Sequence, residues 1–120
     1  MNIILVGVGG IFGGISRYQL GRLVSQKVKT AFPLGTFIIN ITGALLLGLL
    51  SSLNNDKNVY YLLGDGFLGA YTTFSTFMYE GFNLFREKDT LNAVVYILSS
   101  LVIGIIGYMI GFRLGQISFI

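Results

Sequence analysis

Apolar residues run along this chain in four long stretches separated by short polar connections. The stretches cover roughly residues 3–24, 33–53, 59–84 and 91–112. Each is close to the ~20 residues that a helix needs to cross about 30 Å of hydrocarbon. The connections are too short to form a separate aqueous domain. The pattern therefore predicts a single all-α domain over residues 1–120, built from four transmembrane helices.

Composition supports a membrane protein and narrows its chemistry. The chain is 53% hydrophobic and 11% charged, whereas a soluble domain carries about 25% charged residues. It contains neither Cys nor His, which disfavours thiol chemistry, soft-metal ligation and a histidine relay, so any bound ion is expected to be hard. An enzyme is the least expected class, because no nucleophile and base can be paired. The small net charge of +3 gives no nucleic-acid signal.

The basic residues say little about orientation in the membrane. Five lie at the first and third connections and two on the opposite side, a weak bias by the positive-inside rule. Insertion in both orientations therefore stays open. The first group is Arg22, Lys27, Lys29, Arg86 and Lys88, and the second is Lys57 and Arg113.

Glycines recur at helical spacing on the first and last helices, which predicts close helix packing. Whether this packing lies within one chain or between two is left open. A chain of four helices is too small to enclose much of a pathway, which favours an oligomer. On the first helix the ridges are Gly7, Gly10, Gly14 and Gly21, with Gly9 and Gly13 beside them; on the last they are Gly104, Gly107, Gly111 and Gly115.

Residues 69–77, G-A-Y-T-T-F-S-T-F, interrupt the third stretch. Gly69 and the preceding glycines weaken a helix, and Thr72 and Thr73 compete for backbone hydrogen bonds. This predicts a helix broken in the middle of the membrane. Such a break frees carbonyls that suit a hard cation such as Na⁺.

Five polar side chains within the other stretches, or late in the third, need a partner at membrane depth. Arg17 either extends to the interface or attracts an anion. Asn40 either bonds a neighbouring helix or lines a wet cavity. Tyr96 and Ser100 share one helix face and either line a pathway or bond their own helix, and Glu80 lies near a pore mouth or at a solvated helix end.

The groups near the break are mostly neutral hydrogen-bond donors. Phe74 and Phe77 share a helix face and can present positive ring edges, while Ser75 and Thr76 point elsewhere. Hydrogen-bond donors and ring edges are suited to binding a small anion. The alternative, in which the lone pairs of the same groups bind a cation, is left open.

Three motifs carry a family resemblance. They are G-G-I-F-G-G-I-S-R-Y at 9–18, P-L-G-T-F-I-I-N-I-T-G at 33–43 and G-F-L-G-A-Y-T-T-F-S-T-F at 66–77. Together with the size and the four spans, they resemble the signature stretches of the Fluc/CrcB fluoride channel family.

That resemblance implies a mechanism and an assembly. Family members are four-helix subunits that pair antiparallel, in dual topology, as homodimers with two fluoride pores and a structural Na⁺ at the interface. They export F⁻ passively from prokaryotic cells across the plasma or inner membrane, which relieves fluoride toxicity. No nucleotide-binding G-x-x-x-x-G-K-[ST] motif occurs here, as expected for passive export.

The resemblance also implies roles for individual residues. Backbone carbonyls of Gly69 and Thr72 would hold Na⁺. Phe74 and Phe77 would form a phenylalanine box, and Asn40 would be the pore amide.

Further residues would line the fluoride pathway or lie near it. The chain departs from the resemblance at Gly104, where some relatives carry a hydroxyl, so the far end of the polar track on the last helix is in doubt. The implied pathway residues are Ser75, Thr76, Tyr96, Ser100, Glu80 and Arg17.

Two other classes are weighed against the channel. A small dual-topology multidrug or guanidinium exporter would normally require a carboxylate in its first helix, where this chain carries Arg17. The other carboxylates of this chain that could bind a cation within the membrane are Asp65 and Glu80. A membrane scaffold would use the glycines and hydroxyls only for packing, and the density of polar groups in residues 69–77 argues against it.

Overall fold

The computed structural model describes residues 2–28, 32–53 and 56–118, and its regular structure in these ranges is helical without strands. The all-α prediction is therefore confirmed for the described part of the chain. In chain order the elements are α1 (Ile3–Lys27), α2 (Leu34–Ser52), α3 (Lys57–Tyr60), a π-helical segment (Tyr61–Leu68), α4 (Gly69–Tyr71), α5 (Ser75–Arg86) and α6 (Thr90–Ser118).

Among the described helices, α1, α2 and α6 are long and apolar enough to cross a membrane. Their mean hydropathies are 1.4, 1.9 and 2.3, which supports a multi-pass membrane protein. α6 continues to Ser118, beyond the predicted end at 112. The third apolar stretch is divided among shorter helical segments, so its membrane crossing stays a prediction.

Local sequence explains where several of the helices begin. Asn2 and Asp56 precede α1 and α3, and each side chain accepts a hydrogen bond from an amide of the first turn. Such a cap satisfies N–H groups that have no partner within the helix. Pro33 precedes α2, at a position where a missing N–H costs nothing. Lys88, with φ of 61°, turns the chain between α5 and α6.

α1 packs backbone to backbone on the π-helical segment. A Cβ added to Gly9 would collide with the Leu62 carbonyl, and one added to Gly13 would collide with the Phe67 carbonyl. Only glycine permits this approach, as expected for small residues between membrane helices.

α2 and α6 meet in the same way. A Cβ on Gly48 would collide with the Tyr108 carbonyl, and a Cβ on Gly111 with the Leu45 carbonyl. This pair forms the second close helix contact of the fold.

The glycine ridges therefore divide between two environments. Gly9, Gly13 and Gly111 pack within the chain, whereas an added Cβ at Gly7 or Gly14 would meet nothing within 4 Å. One side of α1 thus remains open to lipid or to a second chain.

Two clusters of buried side chains lie on either side of the interruption in the third stretch. The first joins α2 to the segments before the interruption, and the second joins α5 to α6. Their buried members are Ile39, Leu50, Leu68 and Tyr71 in the first, and Phe77, Leu84, Ala93 and Tyr96 in the second.

Candidate functional site

The helical path of the third stretch is interrupted after Tyr71. Thr72 is extended, with φ −78° and ψ 157°. Its amide and hydroxyl both donate to the Leu68 carbonyl, at 3.0 and 2.9 Å. The Thr73 hydroxyl accepts a hydrogen bond from the amide of Thr76 in the first turn of α5, at 3.3 Å. The threonines thus satisfy backbone groups that the interruption would otherwise leave unpaired, while its depth in a bilayer stays a prediction.

Asn40 of α2 binds the peptide groups at this interruption. Its Oδ1 accepts from the Thr73 amide at 2.9 Å, and its Nδ2 donates to the Thr73 carbonyl at 3.0 Å. α2 can come this close because its next turn carries Gly43, where a Cβ would collide with the Thr72 side chain. Of the two alternatives for Asn40, a bond to a neighbouring segment is therefore observed, and Asn40 also borders an open groove.

The two phenylalanines of residues 69–77 lie in contact but in different environments. Their ring centroids are 6.3 Å apart. Phe77 is 7% exposed and packs on Tyr96 with ring centroids 5.1 Å apart. Phe74 is 74% exposed. One ring therefore belongs to the core of the chain, and the other projects from it.

Behind Phe77, α6 presents hydroxyls that have no partner. Tyr96 is fully buried, and neither its hydroxyl nor the buried Oγ of Ser100 makes a hydrogen bond within the described part of the chain. The Tyr96 hydroxyl lies beside Thr36 and Glu80, and Thr36 donates a hydrogen bond to the Glu80 carboxylate. By contrast, Ser99 donates to a carbonyl of its own helix. The alternative that hydroxyls bond their own helix thus applies to Ser99 and not to the two predicted pathway residues.

The remaining predicted residues lie around this centre. Ser75 and Thr76 are exposed at the start of α5, and Gly69 is exposed on α4. Arg17 is half-buried on α1. Along α1 it lies between Gly13, which packs on the segment before the interruption, and Gly21, which faces Ile39 of α2.

Two open cavities are bordered by several of these residues. The larger, which we call the groove, has a volume of about 820 Å³. The smaller, which we call the vestibule, has a volume of about 430 Å³. The groove is bordered by Asn40, Gly69, Thr73, Phe74, Phe77 and Ser100. The vestibule is bordered by Ser25, Thr36, Glu80, Asn83 and Glu87.

α2 connects these two cavities. Thr36 faces the vestibule and Asn40, one turn later, faces the groove. Tyr96 contacts Phe77, which borders the groove, and its hydroxyl lies beside Thr36, which borders the vestibule.

Sequence reasoning missed two partners in this arrangement. Thr73 was predicted only to weaken the helix, yet its peptide binds Asn40. Thr36 was assigned no role from the sequence, yet it binds Glu80. The spacing of Thr36, Asn40 and Gly43 on one helix face was the available signal, but it does not identify what that face meets.

Comparison with known proteins identifies the family of this chain. Residues 4–112 match the family described as CrcB-like protein, Camphor Resistance (CrcB). The chain is 56% identical over 117 residues to Fluoride-specific ion channel FluC 2 of Clostridium acetobutylicum, covering 98% of this chain and 100% of that protein. It is 42% identical over 117 residues to the protein of the same name from Bacillus cereus, with 98% and 99% covered, and 41% identical over 114 residues to that of Rhodococcus jostii, with 95% and 98% covered. This chain therefore belongs to the CrcB-like protein family.

Proposed function

We propose that this chain is a fluoride-selective channel that lets F⁻ leave the cell passively. The name of its relatives, fluoride-specific ion channel, supports both the transported ion and the activity. Within the structure, the proposal is carried by the buried, unpartnered hydroxyls of Tyr96 and Ser100. A buried polar group without a partner costs about 1–3 kcal/mol, and an ion that accepts its hydrogen bond would remove that cost. Passive conduction requires no catalytic group, in line with a chain that is not an enzyme.

The proposed path runs between the groove and the vestibule. F⁻ would exchange hydrating water for the Ser100 and Tyr96 hydroxyls and the free N–H of Asn40, since a pore must replace the hydration shell with close donors. Phe77 narrows the path beside Tyr96 and would present a ring edge to the anion. At the vestibule, the Glu80 carboxylate accepts a hydrogen bond from Thr36, which satisfies one of its oxygens near the proposed path.

The other predicted residues complete this path. Phe74 would form the second ring of the box, and Ser75 and Thr76 would add hydroxyls from the exposed start of α5. Arg17, half-buried on α1, would raise the electrostatic potential for an anion.

We further propose that two chains pair antiparallel over the groove, as a dual-topology homodimer with two pores in the cell membrane. The groove is open in the single chain, and Phe74 projects into it almost fully exposed. Gly7 and Gly14 leave another face of α1 uncovered. A second copy would cover these surfaces and enclose a path that one chain leaves open.

The proposed interface includes a structural Na⁺. The carbonyl of Gly69 fits such a group, because the amide that would close the helical ring on it, that of Thr73, donates to Asn40 instead. Oxygen atoms are the ligands that hard cations prefer. Gly69 and Thr72 both border the groove, where carbonyls of two chains would meet. Bound there, the ion would supply positive charge between the two pores.

The exporter remains the second candidate because a carboxylate lies in the groove. Asp65 is exposed and borders the groove beside Gly69, where it could bind an organic cation. Glu80 is less suited to that role, since it accepts a hydrogen bond from Thr36.

Ion efflux from liposomes distinguishes the two functions. Purified protein is reconstituted with potassium fluoride or potassium chloride inside, and valinomycin is added to release K⁺. A channel gives fast fluoride release at an ion electrode and no chloride release above protein-free liposomes. Absence of fluoride release from folded protein, together with proton-driven guanidinium uptake, would favour the exporter.

A further inference from the structure

Asn40 was expected to act as a pore amide, but its contacts assign it a second task at the interruption. Both polar atoms of its amide are engaged with one residue: Oδ1 lies 2.9 Å from the Thr73 amide nitrogen, and Nδ2 lies 3.0 Å from the Thr73 carbonyl oxygen. This reciprocal pair fixes the orientation of the peptide groups on both sides of Thr73. An amide that only lined a pathway would not need both bonds.

The hydrogen bonds on either side show which backbone group this contact releases. The Leu68 carbonyl is fully occupied, because it accepts from both the amide and the hydroxyl of Thr72. In a continuous helix the next bond would run from the Thr73 amide to the Gly69 carbonyl. Asn40 takes that amide. Gly69 is therefore the first residue whose carbonyl loses its helical donor.

The position of Gly69 makes this release useful. It is exposed and borders the groove, so its carbonyl is not compelled to find another donor inside the chain. α2 is held at the interruption by Gly43, which leaves space for the Thr72 side chain. The spacing between α2 and the third stretch thus places Asn40 within reach of Thr73.

We propose that Asn40 is a positioning residue for the cation site: by holding the Thr73 peptide, it keeps the Gly69 carbonyl free for a small, hard, monovalent cation. This inference rests on the proposed function, which places Na⁺ at these carbonyls. It predicts that the cation affinity depends on a side chain that does not itself bind the cation. Loss of a residue that orients a ligand commonly lowers metal affinity by about 10- to 100-fold.

The experiment is a Na⁺ titration of the thermal midpoint of the purified protein, with K⁺ replacing Na⁺ at constant ionic strength. A cation that binds only the folded state raises the midpoint with the logarithm of its concentration. We expect wild type to respond to Na⁺ and Asn40→Ala to need about 10- to 100-fold more Na⁺ for the same rise. A general loss of stability would lower the midpoint equally at every Na⁺ concentration and would leave the response unchanged.

Two variants separate this role from that of a pore amide. Asn40→Asp keeps the oxygen that accepts from the Thr73 amide but sets a second oxygen against the Thr73 carbonyl. It is therefore expected to respond to Na⁺ more strongly than Asn40→Ala, although its charge opposes fluoride flux. Ser100→Ala, outside the interruption, retains the Na⁺ response. If Asn40→Ala does not fold, Asn40→Ser, whose shorter side chain cannot bridge to Thr73, is measured in the same way.

The outcomes distinguish the inference from the function on which it rests. If Asn40→Ala or Asn40→Ser shows the wild-type Na⁺ response, the positioning role is overturned and the proposed channel function is unaffected. A wild-type protein that conducts fluoride but does not respond to Na⁺ overturns the cation site and this inference together. A wild-type protein that responds to Na⁺ but releases no fluoride overturns the proposed function alone.

Discussion

The two halves of the third apolar stretch contact the rest of the chain by different means. The first half, residues 57–71, meets α1 backbone to backbone, because Gly9 and Gly13 remove the side chains that would separate the two segments. The second half, α5, meets α6 through side chains, chiefly the rings of Phe77 and Tyr96. The interruption at Thr72 separates these two kinds of packing.

This difference separates the requirements of folding from those of ion contact. Backbone contact does not tolerate added atoms. The first half can therefore hold a rigid binding site, but it offers few side-chain groups to an ion that moves along a pathway. Around the second half, the Tyr96 and Ser100 hydroxyls are buried without a partner. Groups that stabilise nothing in the folded chain remain free to bind a ligand.

The largest effect is expected where α1 meets the first half. Gly13→Val would force a side chain against the Phe67 carbonyl, and overpacking against backbone costs about 1–3 kcal/mol or more. We expect little or no folded protein, measured by size-exclusion chromatography and thermal melting. Gly10→Ala, on the same helix, is the control, since its Cβ would lie at an ordinary contact distance of 3.9 Å from its nearest neighbours. A Gly13→Val protein that melts within about 5 °C of wild type would contradict the backbone packing.

The next effect tests the two phenylalanines. Both Phe74→Ile and Phe77→Ile are expected to reduce fluoride efflux at least about tenfold, because isoleucine has no ring edge. Their stabilities should differ: Phe77→Ile loses its buried contact with Tyr96 and about 1 kcal/mol, whereas exposed Phe74 contributes little within the chain. Efflux and thermal melting of the folded protein measure both quantities. Normal efflux in both variants would exclude the phenylalanine box.

The unpartnered hydroxyls give a smaller but more specific effect. Tyr96→Phe and Ser100→Ala each remove a buried group without a partner, so stability should stay constant or rise by up to about 1 kcal/mol. Fluoride efflux should nevertheless fall by about tenfold. Tyr79→Phe, at an exposed position, and Ser99→Ala, whose hydroxyl bonds its own helix, are the controls. Unchanged efflux in Tyr96→Phe and Ser100→Ala would remove these hydroxyls from the pathway.

Sequence periodicity and composition predicted the apolar stretches and the all-α fold, because membrane crossing depends on local hydropathy. The helix α6 continues to Ser118, beyond the predicted span over 91–112, because a helix can extend past the end of an apolar stretch. The π-helical turns of residues 61–68 were not predicted. They occur where α1 packs against this segment at Gly9 and Gly13. This contact joins residues far apart in the sequence, so local helix propensity does not predict it.

The same distinction holds at the site. The interruption near Thr72 follows from local residue types, and its position agrees with the predicted weak helix. The bonds from Asn40 to Thr73 and from Thr36 to Glu80 depend on how α2 is aligned along the third stretch. That alignment is set by Gly43 against Thr72, a fit between surfaces that no single segment reveals.

The smallest expected effect concerns the carboxylate of the first half, and it tests the alternative function. Asp65 is exposed beside Gly69 but lies outside the contact between α5 and α6, so a channel should tolerate Asp65→Asn with fluoride efflux within about twofold of wild type. A proton-coupled exporter requires an ionisable group to exchange proton and cation, and the amide cannot perform that exchange. Fluoride efflux and proton-driven guanidinium uptake are therefore measured on wild type and Asp65→Asn in parallel. Guanidinium uptake that occurs in wild type and disappears in Asp65→Asn would assign transport to the first half of the third stretch. Unchanged fluoride efflux with no guanidinium uptake in either protein would assign transport to the hydroxyls around the second half.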